Sequence, residues 1–227
     1  MNDYESTLGW YAKNDPYDYD QIIKLVSDQK SLDNAPDDGG ENGDLYEKNV
    51  FLVIGHESGG GAEGEREWNI EVAKRLQSKL RGRGAFVITY EHKVRAYGQR
   101  CDEMRDACLT QMPDADCVIL MHYNAYSDPN AHGHEFHYGG VKSLAESIRD
   151  AWQEAFPNSK ARQDDGILHN TDSNGSLMIR SAPAACCLLE PFFISNPDEK
   201  EQFSNAHQEV ADVYANGIGH YLLTTTK

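Results

Sequence analysis

The sequence contains no apolar run long enough to cross a lipid bilayer. Its longest apolar stretches, such as Cys117–Met121 and Ala184–Leu189, are short, whereas a membrane-spanning helix needs about 20 residues. The first residues have neither a basic start nor an apolar stretch, so no secretory signal peptide is visible. We therefore expect a chain that has no membrane span and is made in the cytoplasm.

Basic residues are few compared with acidic ones. The chain of 227 residues has 21 Lys and Arg against 37 Asp and Glu, a formal net charge of −16. Nucleic-acid binding depends on Lys and Arg that neutralise phosphates, so nucleic acid is excluded as a partner. The excess of acids is explained by solubility.

Sequence motifs for disulfide frameworks, zinc knuckles and phosphate loops are also lacking. The cysteines number five, which is odd, and none has CxxC spacing, so we expect all of them to be reduced. The glycine-rich stretch Gly59–Gly64 lacks both GxxxxGK[ST] and a GxGxxG that opens a helix. A nucleotide-binding loop is therefore not indicated.

What is present is the composition of one globular domain with a short extension. Hydrophobic residues make up 39% and charged residues 26% of the chain, which is ordinary for a folded protein. Residues 1–46 form an acidic extension with one predicted helix, 19–29, and a linker rich in turn residues at 34–44. We interpret the extension as a strap on the main domain, 47–227, with a plug near the active site as the alternative.

The main domain alternates between short apolar runs and helical periodicity. The pattern predicts strands at 50–54, 85–89, 117–121, 135–138 and 184–189, and helices at 68–80, 97–110, 144–156 and 206–222. Continuous apolar strands are typical of a sheet covered on both faces. We predict an α/β fold with a mostly parallel central sheet of about six strands and helices on both faces.

Three polar residues follow predicted buried strands: His56, His122 and Glu190. Ligands of open α/β sheets bind outside the carboxyl ends of the strands, so we expect these side chains to meet at one edge. Glu63, Glu65 or Glu67, near the start of the first helix, would add a carboxylate. Two His and one Glu with an open fourth position form a known catalytic zinc arrangement.

Five motifs resemble the zinc-dependent N-acetylmuramoyl-L-alanine amidases of sporulation, cell separation and phage lysis. They are Phe51-Leu-Val-Ile-Gly-His56, Glu65-Arg-Glu-Trp-Asn-Ile-Glu-Val-Ala73, His122-Tyr-Asn-Ala125, Gly133-His-Glu135, and Leu189-Glu-Pro-Phe-Phe-Ile-Ser-Asn196. The resemblance extends from about Val50 to Leu222. It implies that His56, Glu65 and His122 bind Zn²⁺ and that Glu190 is the catalytic carboxylate.

Other residues are candidates for supporting roles. Asn124 could orient substrate or cap a turn, and Glu135 could accept a hydrogen bond from a metal-binding His or lie on the surface. Arg180 could bind a substrate carboxylate or form a surface ion pair. His132, His134 and His137 are a possible metal cluster, although His134 and His137 should point to opposite faces of a strand.

The resemblance implies hydrolysis of the amide bond between N-acetylmuramic acid and L-alanine in peptidoglycan, at the cell wall or in the periplasm. Zinc would polarise the carbonyl, and Glu190 would move the proton from water to the leaving nitrogen. We expect a monomer and the setting of a phage or prophage lysin. The alternatives are a zinc carboxypeptidase or small-amide deacylase on the same scaffold, and a non-catalytic wall-binding protein.

Overall fold

The structure is a computed structural model that describes residues 43–56, 60–163, 165–170 and 176–225. The predicted helix at 19–29 and most of the predicted extension lie outside the described residues. Residues 43–46 are described, and Leu45 is fully buried in the core of the main domain. The boundary between the extension and the main domain stays a prediction.

The described residues form six strands and six helices. The strands are β1 Asn49–Ile54, β2 Phe86–Glu91, β3 Cys117–Met121, β4 Glu135–Tyr138, β5 Ile167–His169 and β6 Ala185–Glu190. The helices are α1 Glu65–Gly82, α2 Tyr97–Gln111, α3 Lys142–Ala155, α4 Ser176–Ser181, α5 Pro197–Phe203 and α6 His207–Thr224. The nine elements predicted in the main domain are all present, with ends shifted by a few residues at most.

The strands form one mixed sheet in the order β2-β1-β3-β6-β4-β5. The pairs β2–β1, β1–β3 and β3–β6 are parallel, whereas β4 runs antiparallel to β6 and parallel to β5. The predicted fold, a mostly parallel sheet with helices around it, is confirmed. The antiparallel β6–β4 pair brings the beginning of β4 to the same edge as the end of β6.

The central strands are apolar along their whole length because both faces of the sheet are covered. Alternate residues of β1, Val50, Leu52 and Ile54, pack in a cluster with residues of α1, α3 and α6. Phe51 and Val53 point to the other face and pack with residues of α2 and α4. Burying each such side chain stabilises the fold by roughly 1.5–3 kcal/mol.

All five cysteines are free and buried. Burial raises the pKa of the Cys108 thiol to about 11, so it stays protonated at neutral pH. Within the described ranges, no helix combines the length and the apolar character that crossing a membrane requires.

Three short elements were not predicted from the sequence. Strand β5 has three residues, too few for a recognisable alternation, and α4 has six. Helix α5 does carry a start signal in the sequence. The Asn196 side chain accepts hydrogen bonds from the backbone N–H groups of Asp198 and Glu199, and Pro197 occupies the first turn.

Candidate active site

The edge of the sheet at the carboxyl ends of β1, β3 and β6 gathers the three predicted strand-end residues. These strands are neighbours in the sheet. His56 lies two residues beyond β1, His122 follows β3 directly, and Glu190 is the last residue of β6. Their convergence follows from parallel pairing, because parallel strands end at the same edge.

The His56, Glu65 and His122 side chains form a compact group of potential metal ligands. Glu65 Oε1 lies 3.3 Å from His56 Nε2 and 3.0 Å from His122 Nδ1. The two imidazole rings are 4.9 Å apart and nearly perpendicular. One carboxylate oxygen and two ring nitrogens therefore point to a common centre, which suits a cation with an incomplete protein ligand set.

Of the three candidate acids, only Glu65 is buried, whereas Glu63 and Glu67 are exposed. Helix α1 begins at Glu65 itself, and Glu65 Oε2 accepts a hydrogen bond from the Ala62 N–H at 2.9 Å. The helix start therefore directs one carboxylate at the two His rings. Glu57, the acid that follows His56 in the sequence, lies outside the described residues.

Two glycines let the backbone approach this group closely. A Cβ at Gly61 would lie 2.6 Å from the His56 ring and 2.7 Å from Glu65 Oε2, and Gly61 has a φ of +79°. A Cβ at Gly55 would lie 2.6 Å from the His122 ring. His56 itself has a φ of 61°, in the left-handed region that costs free energy for a residue with a side chain. The local backbone is thus shaped around the group.

The protonation states of the group suit a metal. Burial alone would raise the pKa of Glu65, but hydrogen bonds and charge from His122 and His56 outweigh it and lower this pKa to about 2. Burial lowers the pKa of His122, so its imidazole stays neutral at neutral pH. An ionised carboxylate with a neutral imidazole is the form in which these side chains bind metals.

Glu190 belongs to a second group beside the first. The Asn124 Nδ2 amide donates to Glu190 Oε2 and, at 2.6 Å, to Glu135 Oε2. Glu135 is the first residue of β4 and pairs in register with Glu190. Asn124 is held by its backbone, since its N–H donates to the Phe192 carbonyl and its carbonyl accepts from the Ile194 N–H. The amide therefore orients both carboxylates.

The surroundings of Glu190 favour its protonated form. Burial is the main cause, and the charges of Glu135 and Glu65 add to it, raising the pKa of Glu190 to about 8. Arg162 acts in the opposite direction, with its Nε 3.5 Å from Glu135 Oε1. The Arg162 guanidinium is stacked 4.6 Å from the centre of the Phe193 ring. A carboxyl group with a pKa near 7 can both accept and donate a proton during a reaction.

Other predicted residues lie elsewhere or act differently. Glu135 is buried, and its described contacts are to Asn124 and Arg162. Arg180 is exposed on α4. His132 is exposed, and His134 is buried with its Nδ1 3.1 Å from Ser159 Oγ. Among the described residues, His132, His134 and His137 do not come together as one group of potential metal ligands.

Arg162 and Glu199 are among the residues near the site that were not predicted. Arg162 comes from a loop without regular structure, where nothing in the sequence marks it. Glu199, in the first turn of α5, accepts hydrogen bonds of 2.7 Å from the N–H groups of Gly133 and Phe193. It links the loop before β4 to the loop after β6. The Asn196-Pro197 helix start two residues earlier is the signal that could have drawn attention to it.

Comparison with known proteins gives a consistent family. A protein-family profile described as N-acetylmuramoyl-L-alanine amidase matches residues 50–220. No curated protein is significantly similar in sequence. Among solved structures, the N-acetylmuramoyl-L-alanine amidase of Clostridium difficile 630 has 21% identity and a TM-score of 0.64, covering 82% of this chain and 100% of the other.

Two further solved structures are similar. AmiC2 of Nostoc punctiforme, an N-acetylmuramoyl-L-alanine amidase, has 20% identity and a TM-score of 0.63, covering 80% of this chain and 99% of the other. The catalytic domain of the CD27L endolysin, which targets Clostridia difficile, has 19% identity and a TM-score of 0.63, covering 75% of this chain and 96% of the other. At these identities the likeness shows a shared fold.

Proposed function

The chain belongs to the N-acetylmuramoyl-L-alanine amidase family, enzymes that hydrolyse an amide bond of peptidoglycan, and from that premise we propose a zinc-dependent mechanism based on five residues. His56, Glu65 and His122 hold the zinc ion, and Glu190 is the catalytic carboxylate. Asn124 orients Glu190. The observation that carries the proposal is the convergence of two ring nitrogens on Glu65 Oε1, with Glu190 in the neighbouring group.

The donor set fits zinc. Two imidazole nitrogens and one carboxylate oxygen are a ligand set that would hold zinc and leave room for substrate or water. When bound at such a set, zinc polarises a carbonyl oxygen and makes water more acidic. Glu65 is 3% exposed, whereas the His56 and His122 side chains are 25% and 15% exposed, so the site is partly open to water and substrate. Such ligands also suit other divalent ions, so the identity of the metal is part of the proposal.

Glu190 carries the proton through the reaction. Its carboxylate takes a proton from the attacking water and delivers it to the nitrogen of L-alanine as the amide bond breaks. Delivery to nitrogen is essential, because an amine leaves far more readily than an amide anion. The raised pKa of Glu190 favours this second step, and the two hydrogen bonds of Asn124 keep the carboxylates of Glu190 and Glu135 in place.

The test is dye release from purified peptidoglycan by the zinc-loaded full chain, compared with Glu190→Gln. The matched control is Glu201→Gln, which removes the same charge at an exposed position on α5. We expect Glu190→Gln to lose about 10²–10⁴-fold in rate, chelation to abolish activity, and the control to match wild type. New L-alanine amino termini should appear without new reducing sugar ends.

Two results would contradict the proposal. Full activity of Glu190→Gln with zinc bound would remove Glu190 from the mechanism. Cleavage of short peptides that lack glycan, with intact wall left uncut, would favour a carboxypeptidase or deacylase instead.

The biological setting is a further part of the proposal. We infer that the chain acts at the cell wall as a monomer, which its mass in solution would test. One structural neighbour is the catalytic domain of an endolysin. The setting of a phage or prophage lysin stays a prediction.

A further inference from the structure

Nε2 of His137, a ring nitrogen beside Glu190, is buried and has no hydrogen-bond partner among the described residues. It lies 3.9 Å from Glu190 Oε2. The position follows from the sheet, because His137 stands two residues after Glu135 and therefore on the same face of β4. Glu135 pairs with Glu190 across the β4–β6 ladder, so His137 is the diagonal neighbour of Glu190.

The other ring nitrogen of His137 has a partner that determines the tautomer. Asn170 Nδ2 lies 3.4 Å from His137 Nδ1. Asn170 is almost fully buried, and its backbone N–H donates to the Tyr138 carbonyl, which fixes its place beside the strand. An amide NH₂ group only donates, so Nδ1 of the neutral ring accepts and Nε2 carries the hydrogen. That hydrogen is on the side of Glu190.

The charged and titratable groups around Glu190 determine how much a hydrogen-bond donor affects its ionisation. Glu135 and Glu65 disfavour the Glu190 anion, as does burial, whereas Arg162 favours it. Burial lowers the pKa of His137 to about 4, and the charge that His122 carries when protonated acts in the same direction, so the His137 ring is a neutral donor near neutral pH. A hydrogen bond to a carboxylate favours its ionised form. Glu190 must be ionised to accept a proton from water.

The set Glu135, His137 and Glu190 also has the residue types of a metal site. Asn124 argues against a cation there, since its Nδ2 donates to both carboxylates and directs its hydrogens between them. The arrangement is instead that of carboxylates held by neutral donors.

We propose that His137 is a positioning residue that donates a hydrogen bond from Nε2 to the ionised Glu190 carboxylate and so holds that carboxylate in place. The inference rests on the proposed role of Glu190 as the proton carrier. A shortening of the 3.9 Å separation on substrate binding, or one bridging water, completes the contact. The residue acts through Glu190 and not on the substrate.

The experiment compares His137→Phe, which removes the donor, with His137→Gln, which keeps an N–H donor on a shorter side chain. The control is His220→Phe at an exposed position on α6. For the zinc-loaded full chain, kcat/KM on a soluble muropeptide is measured against pH. Isotope-edited infrared spectra of the Glu190 carboxylate, identified by its absence in Glu190→Gln, give the pKa of that group directly.

We expect His137→Phe to lower kcat/KM about 10- to 100-fold, with zinc content unchanged. The acid limb of the pH profile and the infrared pKa of Glu190 should both move upward by about one unit. His137→Gln should recover much of the loss, and the control should match wild type. If neither the wild type nor any variant cleaves the muropeptide, the proposed function is contradicted. The infrared pKa of Glu190 would still test the contact between His137 and Glu190.

The inference is overturned if the infrared pKa of Glu190 is the same in wild type and His137→Phe. It is equally overturned if Phe and Gln lower kcat/KM by the same factor without moving the acid limb, since that outcome indicates packing alone. Circular dichroism establishes that each variant is folded before either comparison is made.

Discussion

Replacing Gly61 by alanine should weaken metal binding more than it weakens the fold. Gly61 has a φ of +79°, where a residue with a Cβ costs roughly 1–2 kcal/mol. The added Cβ would also lie 2.6 Å from the His56 ring and 2.7 Å from Glu65 Oε2, closer than such atoms approach. Relief of this clash requires two proposed zinc ligands to move together.

Alanine substitutions at two other glycines distinguish the effect of backbone strain from the effect of the steric clash. Gly64 has a φ of +78°, but its nearest neighbour to a Cβ is the Tyr123 hydroxyl at 3.5 Å, so Gly64→Ala adds strain alone. Gly98, in α2, has nothing within 4 Å of an added Cβ and no positive φ. Gly98→Ala should therefore stabilise the fold by roughly 0.5–1 kcal/mol.

The assays are zinc affinity by competition with a chelator and the free energy of unfolding by chemical denaturation. We expect Gly61→Ala to lose about 10- to 100-fold in zinc affinity, comparable to the loss of a residue that supports metal ligands. Gly64→Ala should lose about 1–2 kcal/mol of stability in the metal-free protein, with a smaller change in zinc affinity. Wild-type zinc affinity in Gly61→Ala, or an equal loss in Gly64→Ala, would refute the reasoning.

Two further predictions concern the metal and the pH dependence of stability. Elemental analysis should find one zinc ion in the wild-type chain, because Asn124 directs its amide hydrogens between the carboxylates of Glu135 and Glu190 and so disfavours a second ion there. The same assay should find no zinc in His122→Ala, and two ions in wild type would contradict the prediction. Burial, aided by the charge of Arg149, lowers the pKa of His134 to about 4. Between about pH 6.5 and pH 4, His134 is therefore protonated in the unfolded chain but not in the folded chain. The free energy of unfolding should therefore fall as pH drops from about 6.5 to about 4, by up to roughly 3 kcal/mol from this residue, and an unchanged pH slope in His134→Gln would contradict that assignment.

The main elements could be predicted from the sequence because their signals are local. A strand buried on both faces has to be apolar at every position, as Val50–Ile54 and Cys117–Met121 are, and a helix on that sheet repeats its apolar residues with its turn. His56, His122 and Glu190 also stand out locally, since each is a polar residue at the point where such an apolar strand ends. The short β5 and the loop that carries Arg162 have no such pattern.

Other features were decided only by the tertiary structure. The residues by themselves left Glu63, Glu65 and Glu67 open, and of these three the structure buries only Glu65, at the start of α1. The place of β4 beside β6, in the opposite direction, puts Glu135 and His137 next to Glu190. Strand pairing and direction join residues more than fifty positions apart, and their free energy depends on how all the strands and helices pack at once. The sequence by itself therefore determined which side chains could do chemistry at this edge, whereas the packing of the sheet decided which of them touch.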